Sequence, residues 1–300
     1  MVDTHNYLDP QTLSKLNGLE LRARHVVEGF VAGTHRSPYH GFSVEFAEHR
    51  EYTPGDDLRY VDWKVYGKTD KIYLKQFEEE TNLVSYLALD TSASMRYQGP
   101  VAALSKIEYA RCAAASLAYL VLHQQDSVGL ATFNDQIRAM VRPSGNPSHL
   151  KQLLHTMEES VPEHKTSTGA ILHDLAERLT HRGIVVLISD LLDDVSSIVS
   201  GLQHLRYRRH DVVVLHVLDP AEVDFPFEGP TRFHGLEQAG HVLTDPQSLR
   251  AGYLRELREY LKAIRTGCRG LQADYLLIRT DQPLDVVLAG YLAARMKRHR

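Results

Sequence analysis

The chain has 300 residues, and its 34 Lys plus Arg are nearly balanced by 38 Asp plus Glu, for a net charge of −4. That balance excludes wholesale attraction to nucleic acid or to an anionic membrane. No apolar run approaches the roughly 18 residues a membrane helix needs, and acids are spread through the N-terminal stretch where a signal peptide would be apolar. A cytoplasmic protein without membrane insertion is therefore expected.

Two cysteines, Cys112 and Cys268, are too few for a disulfide framework and lack metal-ligand spacing. The 17 histidines are scattered, with no HxH, HxxxH or HExxH on a plausible helix face.

In chain order, apolar residues at helical spacing from Pro10 to about Ala32 (Leu13, Leu16, Leu19, Leu21, Val26, Val27, Phe30) predict a helix closed by Gly33. Gly41 to Tyr52 alternates as a strand does. The turn Thr53-Pro54-Gly55-Asp56-Asp57 follows, and Lys71 to Phe77 alternates again. Residues 1–80 thus read as an N-terminal helix and a β-rich segment ahead of a second domain, 81–300.

From Leu83 short apolar runs alternate with long amphipathic ones. Leu83–Leu89, Val128–Phe133, Ile137–Val141, Ile184–Ile188, Val212–Val217 and Tyr275–Ile278 read as strands. Lys106–His123, Ser148–Glu158, Gly169–His181, Val195–Arg208, Pro246–Ile264 and Leu284–Lys297 read as helices. This alternation predicts a doubly wound α/β fold with a mostly parallel six-stranded sheet covered on both faces. Only Asn134-Asp135-Gln136 separate the second and third runs, so they should form a hairpin that places an antiparallel strand at the edge. The first run and Ile184–Ile188 are expected side by side at the centre. Pro220–His241 reads as one long irregular insertion, of a length that is often functional.

The first strand ends in Asp90-Thr91-Ser92-Ala93-Ser94, which puts a carboxylate and two hydroxyls on the carboxyl rim of the sheet, where open α/β sheets bind ligands. The loop Lys165-Thr166-Ser167-Thr168-Gly169 and the strand end Ser189-Asp190 supply further oxygens. Hard oxygen donors from three loops, without sulfur or imidazole, suit Mg²⁺ or Mn²⁺. Each segment alone is an ordinary N-cap, and the signal lies in their order.

That order, Asp90-x-Ser92-x-Ser94, then Thr166, then Asp190, resembles the metal-ion-dependent adhesion site of von Willebrand factor A domains. The resemblance implies that Ser92, Ser94 and Thr166 contact the cation directly, that Asp90 and Asp190 support it largely through water, and that one position stays open for an acidic residue of a protein partner. Two positions depart from the pattern: Leu191 follows Asp190 where Gly is common, and His164-Lys165 precede Thr166 where a Gly pair is common.

Upstream, the string from Arg50 to Trp63 is similar to a bacterial family of unknown function, number 58. Its members are linked with MoxR-type AAA+ ATPases as adaptor or chaperone partners. The resemblance therefore implies a metal-dependent protein–protein interaction module and not an enzyme. The same string also has a structural reading, as a Pro-Gly-Asp-Asp turn with paired charges and a Tyr60–Trp63 core.

The alternative is a Mg²⁺-dependent, phosphatase-like hydrolase using Asp90 and Asp190. Such an enzyme needs a second carboxylate two residues after the first, and that position is Ser92, whose hydroxyl cannot serve as the general acid.

Overall fold

A computed structural model describes residues 18–33, 49–51, 65–67, 73–75, 83–236 and 240–298. The central sheet consists of β3 (Val84–Asp90), β4 (Ser127–Phe133), β5 (Ile137–Ser144), β6 (Ile184–Ser189), β7 (Asp211–Leu218) and β10 (Asp274–Arg279), in the order β10-β7-β6-β3-β4-β5. All neighbours pair in parallel except β4 and β5. The expected α/β class, the central β3–β6 pair and the antiparallel edge are all present.

The strands are apolar on both faces because helices cover both. Leu87 and Leu89 of β3 join the core cluster on one side, and Tyr86 and Ala88 join the cluster on the other. Helix α2 (Lys106–His123) presents Ala110, Ala113, Ala114, Ala115 and Ala118, all fully buried. Small side chains let it lie close to the sheet while α1 (Leu19–Gly33) packs on its far side. Leu19, Ala23, Val26 and Val27 form the buried stripe of α1, and Leu21 is exposed. Helix α3 (His149–Glu159) shares the α1–α2 side, and its Glu158 carboxylate accepts from Leu19 N at 3.3 Å. On the opposite face, α4 (Thr168–Arg178) and α5 (Val195–Tyr207) cover the sheet. The edge strand β5 exposes Arg138, Met140 and Arg142 and carries Pro143, features that discourage further strand pairing.

Residues Pro220–His241 are not one irregular insertion. They contain α6 (Pro220–Asp224) and β8 (Thr231–His234), which pairs antiparallel with β9 (His241–Thr244). The helix forms because Asp219 and Glu222 make a capping box and Pro220 stands where its missing N–H costs nothing. Phe225, Phe227 and Phe233 then cluster with Tyr253 of α7 (Pro246–Gly270). Helix α8 (Leu284–Arg298) ends the described chain.

The chain divides into two compact units, Arg36–Asn82 and the remainder. Helix α1 belongs with the larger unit because its stripe is buried there. Within the smaller unit β1 (His49–Glu51) pairs antiparallel with β2 (Tyr73–Lys75). Residues 10–17 of the expected first helix, the expected strand at 41–48, the turn at 53–57 and nearly all of the Arg50–Trp63 string lie outside the described residues. Among the described residues no helix is long and apolar enough to cross a membrane.

Candidate functional site

Strands β3 and β6 are adjacent and parallel, so their carboxyl ends deliver Asp90 and Asp190 to the same stretch of rim. Asp90 is fully buried. Its Oδ1 accepts from Ser92 N at 2.8 Å, and its Oδ2 accepts from Ser189 Oγ at 2.5 Å and Thr166 Oγ1 at 3.3 Å. The Ser92 and Ser94 hydroxyls lie 3.0 Å apart. Asp90, Ser92, Ser94 and Thr166 are thus joined by direct hydrogen bonds, and Ser189, the residue before Asp190, links Asp90 to Leu191 N. Four of the five residues read from the sequence form one buried hydrogen-bonded cluster, and Asp190 is buried at the end of the neighbouring strand.

Thr166 comes from a loop that is stitched to the strand ends by its backbone. Glu163 N donates to Thr91 O, Ala93 N donates to His164 O, and Asn134 Nδ2 donates to Glu163 O. The Asn134 turn of the β4–β5 hairpin thereby holds the Thr166 loop against the Asp90 loop.

Both departures from the glycine pattern fall on left-handed backbone. His164 has φ 64° and Leu191 has φ 53°, conformations that glycine adopts without strain. Leu191 is nevertheless suited to its place, since its side chain is fully buried in the second core cluster. That burial, worth about 2 kcal/mol, offsets a left-handed cost of roughly 1–2 kcal/mol. Tyr260 of α7 donates to Leu191 O and braces the loop. Lys165, the cation next to Thr166 in sequence, is exposed.

The lysine that does reach the site is Lys106, the first residue of α2. Its Nζ lies 2.7 Å from Asp190 Oδ2 and 2.7 Å from Glu222 Oε1, and its side chain is fully buried. Burial alone would pull this ammonium down, but the charges of Asp190 and Glu222 outweigh it and hold the lysine protonated. His216 lies behind Asp190, its Nε2 2.9 Å from Asp190 O and its Nδ1 2.9 Å from Tyr275 OH. Burial lowers its pKa to about 4, so it is neutral, with Nε2–H donating and Nδ1 accepting.

The sequence pattern pointed to Ser189 only as part of the Ser189-Asp190 strand end, and did not point to Lys106, Glu222 or His216. For Lys106 one signal was present: a cation in the first turn of a helix opposes the macrodipole and needs a reason.

The donors fit a hard dication better than any softer metal, being hydroxyls and carboxylates only. The electrostatics agree. Burial, then the charge of Asp190, push the Asp90 carboxyl up to about 7. The folded state therefore holds a proton that the unfolded chain releases in the ordinary carboxylate range. Its contribution to stability is complete at low pH and is lost as pH rises through 7. A dication beside Asp90 would need the ionised form, so any such binding would tighten by up to about tenfold per pH unit below 7 and level off above. Mn²⁺ titration between pH 5.5 and 8 reads this directly, and a flat profile would remove Asp90 from the metal's surroundings.

A family model described as protein of unknown function DUF58 matches residues 48–262. The chain is 28% identical, over 96% of its own length and 91% of theirs, to uncharacterized proteins of Mycobacterium bovis and Mycobacterium tuberculosis. Among solved structures it is similar to BatB from Bacteroides thetaiotaomicron (17% identity, TM-score 0.48, 72% of this chain and 99% of that one). It is also similar to an aerotolerance-related membrane protein from Bacteroides fragilis (19%, TM-score 0.44, 68% and 96%) and to the SpRpn10 VWA domain (10%, TM-score 0.38, 69% and 94%). The strand order, and not these overlaps, defines the topology described above.

Proposed function

The chain belongs to the DUF58 family, and we propose that it is a dication-dependent protein-interaction module whose site is the Asp90–Ser92–Ser94–Thr166–Asp190 cluster. The observation that carries this reading is the meeting of two carboxylates and three hydroxyls, from three loops, in one buried cluster at the switch point of the sheet. Two buried carboxylates near one another repel unless cations lie close by; Lys106 supplies one charge to Asp190, and Mg²⁺ or Mn²⁺ would supply the charge that Asp90 lacks. Ser92, Ser94 and Thr166 would hold it directly, with Asp90 and Asp190 as charged support. When bound, the ion offers an acidic group of a partner its remaining coordination position.

The surroundings support a docking role. Val101, Val161 and Leu192, in the loops that follow the same strand ends, are 71%, 59% and 45% exposed and would offer a partner apolar contact. Exposed Lys165 favours an anionic visitor, whereas Arg96 on the Asp90 loop is already paired with Glu163 at 3.8 Å. An open cleft of about 290 Å³, lined by Thr91, Asn134, Arg138, Val161 and His164, adjoins the rim.

The partner we propose is a MoxR-type AAA+ ATPase presenting an acidic residue. A phosphatase-like hydrolase is less well supported, because Ser92 occupies the place of the acid and its hydroxyl pairs with Ser94.

Co-purification with the cognate ATPase is the test. Wild type in Mg²⁺ should retain it, and Ser92→Ala/Ser94→Ala or wild type in EDTA should lose at least tenfold. Retention in all three would show that the metal is not the handle.

A further inference from the structure

The charges of the cluster are shared unequally. Asp190 already has a cation, the Lys106 ammonium at 2.7 Å. Among the described residues Asp90 has no ion pair, only the donors Ser92 N, Thr166 Oγ1 and Ser189 Oγ. Lys106 stands in the first turn of α2, where the helix dipole disfavours a cation, and it is fully buried. What holds it there is tertiary. Besides Asp190 it has Glu222 Oε1 at 2.7 Å and the Tyr97 ring, whose centroid is 5.8 Å from Nζ. Glu222 is itself fixed, because its Oε2 accepts from Asp219 N at 2.8 Å in the capping box of α6. Asp219 in turn accepts from Gly99 N at 2.9 Å and from Thr280 Oγ1 at 3.3 Å. The ammonium is therefore poised between two carboxylates of different kinds, one in the proposed metal cluster and one on a short helix outside it.

We infer that Lys106 is a resident counter-ion that competes with the dication for Asp190, and that Glu222 sets how strongly it competes. This rests on the reading that the cluster takes a dication. A divalent ion entering beside Asp90 must share Asp190 with a positive charge already bonded to it, so the site holds metal more weakly than its oxygens alone would. The lysine keeps Asp190 oriented and neutralised when no metal is present. Glu222 draws the ammonium toward α6, and without it Lys106 belongs to Asp190 alone. Substitutions on the two sides of this ion pair should consequently act in opposite directions on metal binding. A merely structural role would weaken binding in both.

The experiment is Mn²⁺ titration of the full chain, followed by electron paramagnetic resonance, with circular dichroism to verify folding. Lys106→Met should tighten Mn²⁺ at least about tenfold, and Glu222→Gln should weaken it at least about threefold. If wild type binds Mn²⁺ and folded Lys106→Met binds it equally or more weakly, the inference falls and the metal-dependent reading stands. If only Lys106→Met binds, the inference stands and the metal-dependent reading of the wild type falls. If neither binds, both fall. Should Lys106→Met fail to fold, Glu222→Gln decides: binding equal to or tighter than wild type, including none by either, overturns the inference.

Discussion

Millimolar Mg²⁺ or Mn²⁺ is expected to raise the melting temperature of the unaltered protein, and Asp90→Asn is expected to abolish that rise. The substitution keeps an oxygen to accept from Ser92 N and changes no volume, but it removes the charge a dication needs. A ligand that binds only the native state at a hundred times its dissociation constant adds about 2.7 kcal/mol. In a unit of this size that corresponds to roughly 5–10 °C. The metal-free variant should not be less stable than wild type above pH 7. There the buried Asp90 carboxylate, burdened by its burial and by Asp190, is a liability that the amide does not share. Thermal scans at pH 8 with and without metal measure both effects. An equal metal response in the two proteins would place the ion elsewhere.

Gly169→Ala should be among the most damaging single methyls on the rim side of the fold. Gly169, in the first turn of α4, lies against Ser197 of α5, and an added Cβ would come within 2.7 Å of the Ser197 carbonyl carbon. The approach is mutual, since a Cβ on Gly201 would meet Leu172 Cβ at 2.6 Å and Gly169 O at 2.8 Å. These contacts involve backbone, which cannot turn aside, so the helices must separate. Overpacking of this kind costs about 1–3 kcal/mol, or roughly 2–12 °C. Gly169 N also donates to Asp193 Oδ2 at 3.0 Å, and Thr166 stands three residues upstream. The variant should therefore lose part of its metal response as well as stability. Gly252→Ala, in α7 with open space around the new methyl, is the control and should gain about 0.4–1 kcal/mol. Equal melting temperatures for Gly169→Ala and wild type would contradict the close α4–α5 approach.

Much of the architecture was legible in the sequence because it depends on local pattern. Continuous apolar runs such as Val185–Ile188 and Val212–Leu215 are what a strand buried on both faces requires, and a three-residue link such as Asn134–Gln136 permits only a hairpin. With strands and helices alternating, the handedness of crossovers leaves few sheet orders, so Asp90, Thr166 and Asp190 could be assigned to one rim from their positions at element ends. The capping box at Asp219-Pro220-Ala221-Glu222 was equally local, and reading Pro220–His241 as irregular overlooked it. The aromatic cluster of Phe225, Phe227, Phe233 and Tyr253 depended on the contact of Phe225 with Tyr253 of α7, 28 residues away in the chain.

What the sequence could not determine is the charge state of the site, because that depends on which buried groups packing brings within a few ångströms. Lys106 is 84 residues from Asp190 and 116 from Glu222, and no pattern relates them. The lysine that looked relevant, Lys165, adjoins Thr166 in sequence but faces solvent, and the one that pairs with Asp190 reaches it from the start of a different helix. In a low-dielectric interior a single ammonium at 2.7 Å decides how much charge remains for a metal to neutralise, and only the tertiary structure places it there.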